Sequence, residues 1–274
     1  MECTLKNISV YYEEYGEGKP IIMIHGYYPD HRLMSGCMEP LFAGRTGFRR
    51  IYLDLPGMGR TKGEAWIDNS DRMLEVVLDF IDAVIPGQKF LLAGESYGGY
   101  LSRGIVYHRA EQVDGLLLLC PSIIPEHAKR NLPPKTVIVT DSALLSNLSR
   151  EDAEEFESMA VVQNEEIWKR YKDEIFSGVR MADDDFLKKL RNEGFSFSFN
   201  VDEMRNKYEK PTLFLLGKQD TSVGYKDAWD VFDNYPRGTF AVLDRAGHNL
   251  QLEQVELFNT LVNEWLDRVV EYSA

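Results

Sequence analysis

The feature that most constrains the fold is the pentapeptide Gly-Glu-Ser-Tyr-Gly at residues 94–98. It follows an apolar run at 90–93, which predicts a short buried strand, and it precedes a segment whose apolar residues have helical spacing. A serine in so sharp a strand-to-helix turn takes a strained backbone conformation, and the flanking glycines let the strand and the helix approach each other closely. We therefore predict that Ser96 stands at the carboxyl end of a strand, beside the positive end of the following helix.

Strand and helix patterns alternate along most of the chain. Residues 8–14 carry β-branched and aromatic side chains and predict an N-terminal strand or hairpin, and further runs of strand length lie at 20–24, 50–53, 115–120, 212–216 and 239–243. Amphipathic helical patterns occur at 73–84, where Ser70 or Asp71 is the predicted N-cap, and at 258–269. This alternation predicts an α/β protein with a mostly parallel sheet that helices cover on both faces.

Residues 121–210 have a different character, because apolar strand runs give way to acidic helical patterns. Ser149, Asn164 and Asp183 are each placed to cap a helix. We predict a helical insertion here, so that residues 1–120 and 211–274 form the core domain.

Composition limits the possible partners. The net charge of −13 and the pI near 4.9 argue against binding to nucleic acid or to an anionic membrane. The start of the chain lacks the basic and apolar pattern of a secretory signal. The three cysteines, Cys3, Cys37 and Cys120, are odd in number and fit no metal spacing, which indicates reduced thiols and a cytoplasmic protein.

The residues with chemical potential fall just after predicted strands. Ser96, Asp220 and His248 each follow such a strand, and ligands bind at the carboxyl edge of open α/β sheets. Further turn motifs lie at 25–26, 54–59, 217–220 and 246–248. With these motifs and the order serine, acid, histidine, the chain resembles an α/β-hydrolase from residue 8 to its end.

This resemblance implies an eight-stranded, mostly parallel sheet, with residues 121–210 as a helical cap between core strands six and seven. It implies Ser96 as nucleophile, His248 as base and Asp220 as the acid that orients the imidazole. The implied oxyanion donors are the backbone N–H groups of Tyr27 and Tyr97. No metal or organic cofactor is implied, and the oligomeric state is left open.

Other candidates are weaker. Tyr28 is a possible pocket residue, and His25 is either a pocket residue or a structural support for the anion site. Asp244 rivals Asp220, but it precedes the turn and is expected to brace the loop. His31 lies in a predicted loop with no partner pattern.

A serine nucleophile argues against the dehalogenase and epoxide-hydrolase branches of the superfamily, which use aspartate. We expect hydrolysis of a small, fairly apolar carboxylic ester through an acyl-enzyme on Ser96. One alternative is hydrolysis of a carbon–carbon bond in a diketone-type substrate, with Arg130 or Arg150 facing the substrate carboxylate. Another is a non-catalytic ligand-binding member of the fold.

Overall fold

The computed structural model of the chain describes residues 1–273, which contain eight strands. They are β1 (Glu2–Thr4), β2 (Ser9–Tyr15), β3 (Lys19–Ile24), β4 (Phe48–Leu53), β5 (Phe90–Glu95), β6 (Val113–Leu119), β7 (Thr212–Gly217) and β8 (Gly238–Leu243). They form one sheet in the order β1-β2-β4-β3-β5-β6-β7-β8. The six strands β4, β3, β5, β6, β7 and β8 run parallel to one another, whereas β2 is antiparallel to both of its neighbours, β1 and β4. The predicted fold class is confirmed.

Helices occupy most of the connections. In chain order they are α1 (Arg32–Met38), α2 (Ser70–Val84), α3 (Tyr97–Arg109), α4 (Ser142–Asn147), α5 (Arg150–Met159), α6 (Glu165–Tyr171), α7 (Ser177–Val179), α8 (Asp184–Glu193), α9 (Lys226–Val231), α10 (Leu250–Glu253) and α11 (Val255–Ser273). A π-helical segment, Lys172–Phe176, joins α6 to α7. Within the described chain, no helix combines the length and the apolar character needed to cross a membrane.

The central strands are buried on both faces, and successive side chains enter two different apolar layers. In β5, Leu92 belongs to the layer that contains side chains of α2 and α3. Its neighbours Leu91 and Ala93 belong to the opposite layer, which contains Trp265 and other side chains of α11. Because both faces exclude water, these strands read as continuous apolar runs in the sequence.

The segment between β6 and β7 contains α4 to α8. As predicted, the side chains of Ser149, Asn164 and Asp183 accept hydrogen bonds from backbone N–H groups three residues later. The insertion contributes to both core layers, since Phe156 packs in one and Leu187 in the other. The division of the chain into a core domain and a cap stays a prediction.

The predicted cap of α2 is wrong. Asn69 has the extended backbone of an N-cap, and its side chain accepts a hydrogen bond of 2.9 Å from the Arg72 N–H. Ser70 is buried instead, with its hydroxyl 2.7 Å from the hydroxyl of Tyr97 and 2.7 Å from the carbonyl oxygen of Phe195. Ser70 therefore makes tertiary hydrogen bonds in place of the cap that the local sequence favours.

The packing of α11 yields a stability prediction. Trp265 is fully buried, and its indole N–H donates a 3.1 Å hydrogen bond to the carbonyl oxygen of Pro211. We expect Trp265→Ala to lower the free energy of unfolding by about 3–5 kcal/mol, because it leaves a large cavity. Trp229 is 62% exposed, so Trp229→Ala is the matched control and should cost much less. Urea titration measures both, and equal losses would contradict this account of the core.

Candidate active site

Ser96 occupies the turn between β5 and α3 with φ 52° and ψ −113°, as the predicted strain requires. The turn is tight because a Cβ on Gly94 would lie 2.4 Å from the carbonyl oxygen of Gly98. A Cβ on Gly98 would lie 2.2 Å from the carbonyl oxygen of Ile24 in β3. Only glycine fits at these two positions, and their absent side chains allow α3 to begin directly against the sheet.

Three predicted side chains meet in a chain of hydrogen bonds. The Nε2 atom of His248 lies 3.0 Å from the Oγ atom of Ser96, and its Nδ1 atom lies 2.8 Å from Oδ2 of Asp220. Asp220 is fully buried, and its Oδ1 accepts hydrogen bonds from the N–H groups of Ser222 and Val223. When Nδ1–H donates to Asp220, Nε2 is left to accept the serine proton.

Asp244 stabilises the loop, as expected, by connecting the turns that follow β7 and β8. One of its carboxylate oxygens accepts a 2.8 Å hydrogen bond from the side-chain amide of Gln219. Its side chain is exposed, whereas Asp220 is buried against His248. The geometry therefore selects Asp220 over Asp244 as the partner of the imidazole.

Glu95 is a member of the site that the sequence analysis missed. Its carboxylate Oε1 lies 3.2 Å from Nε2 of His248, the same nitrogen that faces Ser96. The side chain is buried, and burial raises the pKa of Glu95 to about 7, with the nearby Asp220 charge acting in the same direction. Glu95 belongs to the Gly-Glu-Ser-Tyr-Gly motif, but its contact with His248 depends on the loop after β8, far along the chain.

The two carboxylates change the basicity of His248. Burial by itself lowers the pKa of the imidazole, but the charges of Asp220 and Glu95 outweigh burial and raise the pKa to about 9. The positive charge of Arg130 opposes them and lowers it. The imidazolium form is thus stabilised, which suits a group that must hold a proton during a reaction.

Glu253 is a second missed residue and supports the histidine loop. Its Oε2 accepts a 2.6 Å hydrogen bond from the N–H of Gly247, next to His248. Its Oε1 accepts hydrogen bonds from the N–H groups of Val161 and Val162 in the insertion. Burial raises the pKa of Glu253 to about 7. One carboxyl group thereby joins the histidine loop to the helical insertion.

The predicted oxyanion donors flank Ser96. Tyr97 is the first residue of α3, and Tyr27 lies in the turn after β3. This turn packs closely on the serine, since a Cβ on Gly26 would lie 3.2 Å from Cβ of Ser96. Among the hydrogen bonds of the described residues, the N–H groups of Tyr27 and Tyr97 have no protein acceptor. Their tyrosine rings are in edge-to-face contact, with centroids 5.1 Å apart.

Two cavities adjoin Ser96 and His248. The larger, about 960 Å³, has mostly polar residues in its wall, among them Ser122, Arg130 and Arg191. The smaller, about 290 Å³, is more apolar, with Leu33, Tyr28, Tyr171, Ile175 and Val179 in its wall. A substrate bound across Ser96 therefore meets two different environments.

The remaining candidates separate clearly. Tyr28 lines the smaller cavity, whereas His25 is fully buried behind the turn. The Nδ1 atom of His25 lies 2.7 Å from the Gly26 carbonyl oxygen, and Nε2 accepts from the Leu55 N–H, so both ring nitrogens are engaged by backbone atoms. His25 therefore supports the turn and lines neither of the two cavities. Arg150 is exposed and pairs with Glu154 at the surface.

His31 departs from the expectation of a loop residue without partners. It is buried, and its Nδ1 lies 2.8 Å from Oδ1 of Asp54, a residue that also accepts the N–H groups of His31 and Arg60. The carboxylate of Asp54 raises the pKa of His31 against the lowering effect of burial. This pair holds the loop after β4 against the start of α1.

A serine at the carboxyl edge of a parallel sheet, followed along the chain by its acid and its histidine, is the arrangement of α/β-hydrolases. The family model described as serine aminopeptidase, S33 matches residues 18–255, and the chain belongs to that family. The predicted resemblance and the predicted enzyme class, a hydrolase, are confirmed.

Individual relatives are more distant. The chain is 23% identical over 269 residues to a pimeloyl-(acyl-carrier protein) methyl ester esterase of Legionella pneumophila (strain Corby), covering 94% of this chain and 100% of the relative. It is 24% identical over 263 residues to a 2-hydroxy-6-oxo-6-(2'-aminophenyl)hexa-2,4-dienoic acid hydrolase of Metapseudomonas resinovorans, covering 94% and 87%. A solved alpha/beta superfamily hydrolase from Oenococcus oeni PSU-1 has a TM-score of 0.88 at 32% identity, covering 98% of this chain and 99% of that chain.

The position of Glu95 yields a prediction about His248. Because the Glu95 charge raises the pKa of the imidazole, Glu95→Gln should lower that pKa measurably. Any activity that needs the neutral imidazole would then begin at lower pH. NMR titration of the His248 ring protons measures the shift.

Asp244→Asn removes an exposed carboxylate four positions before His248 and is the control, with an expected pKa close to that of the unmodified protein. An unchanged or higher pKa in Glu95→Gln would show that the Glu95 carboxylate does not act on the imidazole.

Proposed function

We propose that this enzyme is a serine esterase that cleaves a small carboxylic ester through an acyl-enzyme on Ser96. The observation that carries the proposal is the continuous contact from the Ser96 hydroxyl through His248 to Asp220, with distances of 3.0 Å and 2.8 Å. The similarity to an esterase over nearly the full chain supports the same reaction class.

In the first half-reaction, Nε2 of His248 removes the hydroxyl proton of Ser96 while Oγ attacks the acyl carbon. The carbonyl oxygen becomes an oxyanion, which the N–H groups of Tyr27 and Tyr97 stabilise. Asp220 keeps the imidazole oriented and, with Glu95, stabilises its positive charge. His248 then gives the proton to the departing alkoxide, and the alcohol leaves as the acyl-enzyme forms.

The second half-reaction repeats these roles with water. His248 takes a proton from the water as its oxygen attacks the acyl carbon, and the same N–H groups receive the oxyanion. The carbon–Oγ bond breaks, and His248 returns the proton to Ser96 as the acid leaves.

The predicted cap sets the substrate in this proposal. Residues 121–210 contribute Met159 to both cavities, Tyr171 to the smaller cavity and Arg191 to the larger one. The expectation of a fairly apolar substrate suits the smaller cavity, while the larger cavity has Arg130 and Arg191 in its wall. A cytoplasmic location and a small-molecule substrate stay predictions.

Carbon–carbon bond hydrolysis is the second candidate. Arg130 lies in the wall of the cavity that Ser96 adjoins, as that reading requires, and Arg150 does not. The dienoic acid hydrolase relative also favours it. A non-catalytic role fits less well, because the hydrogen-bonded chain from Ser96 through His248 to Asp220 is complete.

Replacement of the nucleophile tests the proposal. We expect the enzyme to hydrolyse an activated short-chain ester and to be labelled at Ser96 by a fluorophosphonate, and we expect Ser96→Ala to lose both. Ser158→Ala, in α5, is the control and should keep both. Mass spectrometry locates the label. Turnover that survives in Ser96→Ala would end the acyl-enzyme proposal, and turnover of diketone acids without turnover of esters would favour the second candidate.

The acid has a prediction of its own. Asp220→Asn should lower kcat for the ester by about 10⁴-fold, because an amide favours the wrong tautomer of His248. Asp244→Asn is isosteric in the same way but lies outside the hydrogen-bond chain, so kcat should be retained. Steady-state kinetics distinguish the two, and similar losses in both variants would assign the orienting role elsewhere.

A further inference from the structure

The larger cavity contains two arginines whose positive charges are not neutralised by an ion pair. Neither Arg130 nor Arg191 forms one with a carboxylate in the part of the chain that the structure describes, although the protein carries a net charge of −13. Several other arginines do pair with carboxylates, as Arg49 does with Glu14 and Arg50 with Glu39. The wall beside Ser96 is therefore a local cationic region.

Arg191 has its hydrogen-bond donors free. Its guanidinium carbon lies 4.8 Å from the ring centroid of Tyr27 and 5.1 Å from that of Tyr28. The side chain is exposed and in cation–π contact with both rings, and among the described residues no protein atom accepts a hydrogen bond from its N–H groups. A planar guanidinium held in this way can donate two parallel hydrogen bonds to a carboxylate.

Arg130 supplies charge. It is half-buried, and its donors reach neutral acceptors, namely the carbonyl oxygens of Ile124, Pro125 and Ser222 and the hydroxyl of Ser122. Burial lowers the pKa of Arg130, and the neighbouring charge of Arg191 lowers it further, against the raising effect of Asp220, Asp227 and Glu126. An anion bound in this cavity would offset that repulsion.

Two carboxyl groups also belong to this wall. Glu126 pairs with Lys129 at 3.2 Å, and Glu193 is exposed at the C-terminal end of α8. Neither forms an ion pair with Arg130 or Arg191, although the charge of Glu126 acts on Arg130. The two guanidinium groups therefore remain available to an anion that enters the cavity.

We propose that the larger cavity binds a carboxylate group of the substrate, with Arg191 donating hydrogen bonds to it and Arg130 adding positive charge. This inference rests on the proposed esterase function and names its substrate class, an ester that carries a free carboxylate. Ser96 and His248 border both cavities, so the uncharged half of the ester occupies the smaller one.

Two pairs of esters test the inference. The first pair is the 4-nitrophenyl ester of hexanoic acid and the mono-4-nitrophenyl ester of hexanedioic acid, which differ by a terminal carboxylate on the acyl half. The second pair is the acetate ester of pentanol and that of 5-hydroxypentanoate, which differ by a carboxylate on the alcohol half. The measured quantity is the ratio of kcat/KM for the charged ester to kcat/KM for the neutral one.

We expect a ratio well above one in at least one pair. Arg191→Gln should lower this ratio by about 10- to 100-fold, as the loss of hydrogen bonds to a charged group predicts, and Arg191→Lys should fall between. Arg60→Gln is the matched control, because Arg60 also lies over a tyrosine ring, that of Tyr11 at 4.6 Å, but borders a different depression. Its ratio should not change.

A ratio near or below one in both pairs, or an unchanged ratio in Arg191→Gln, would overturn the carboxylate site. The esterase function is read separately, from turnover of the neutral esters and its loss in Ser96→Ala. If no ester is hydrolysed, calorimetry with hexanedioate and Ser96→Ala still decides the matter. Binding that Arg191→Gln weakens about 10- to 100-fold supports the site, and no binding contradicts it.

Discussion

At Ser96 the chain passes from β5 into α3 with a positive φ angle, a conformation that costs about 1–3 kcal/mol and persists only where surrounding packing enforces it. The close approach of α3 to β3 at Gly98 supplies that packing. The turn fixes the hydroxyl at the carboxyl edge of the sheet. Because β5, β7 and β8 run parallel, the loops that follow β7 and β8 reach the same edge and bring Asp220 and His248 to it.

Local patterns predicted seven of the eight strands but not β1, and the resemblance to α/β-hydrolases implied the three residues of the hydrogen-bond chain, which lie in the turns after β5, β7 and β8. The central strands are buried along their whole length, so their apolar residues form continuous runs that the sequence shows directly. The caps of α5, α6 and α8 were predictable for a similar reason, since an exposed cap depends on the next three residues alone. At α2 the prediction was wrong because Ser70 is buried against Tyr97, a contact that no local pattern contains.

The missed members of the site are charged residues whose partners lie far away in sequence. Glu95 precedes the serine, yet its contact with His248 requires the loop after β8 to return over β5. Glu253 joins that loop to the insertion. Outside the site, His31 likewise pairs with Asp54 across 23 positions. Spacing within one element gives no information on such contacts, whereas the sheet order creates them.

Opposing charges meet at His248. Asp220 and Glu95 raise the pKa of the imidazole, and Arg130 lowers it. A general base needs a neutral imidazole before the reaction and a stable imidazolium during it. The carboxylates alone would keep His248 protonated, and the arginine alone would destabilise the imidazolium. An anionic substrate held by Arg130 and Arg191 would offset the arginine charge as it binds. The imidazole would then become more basic when substrate is present, and proton transfer from Ser96 would be favoured in the complex over the free enzyme.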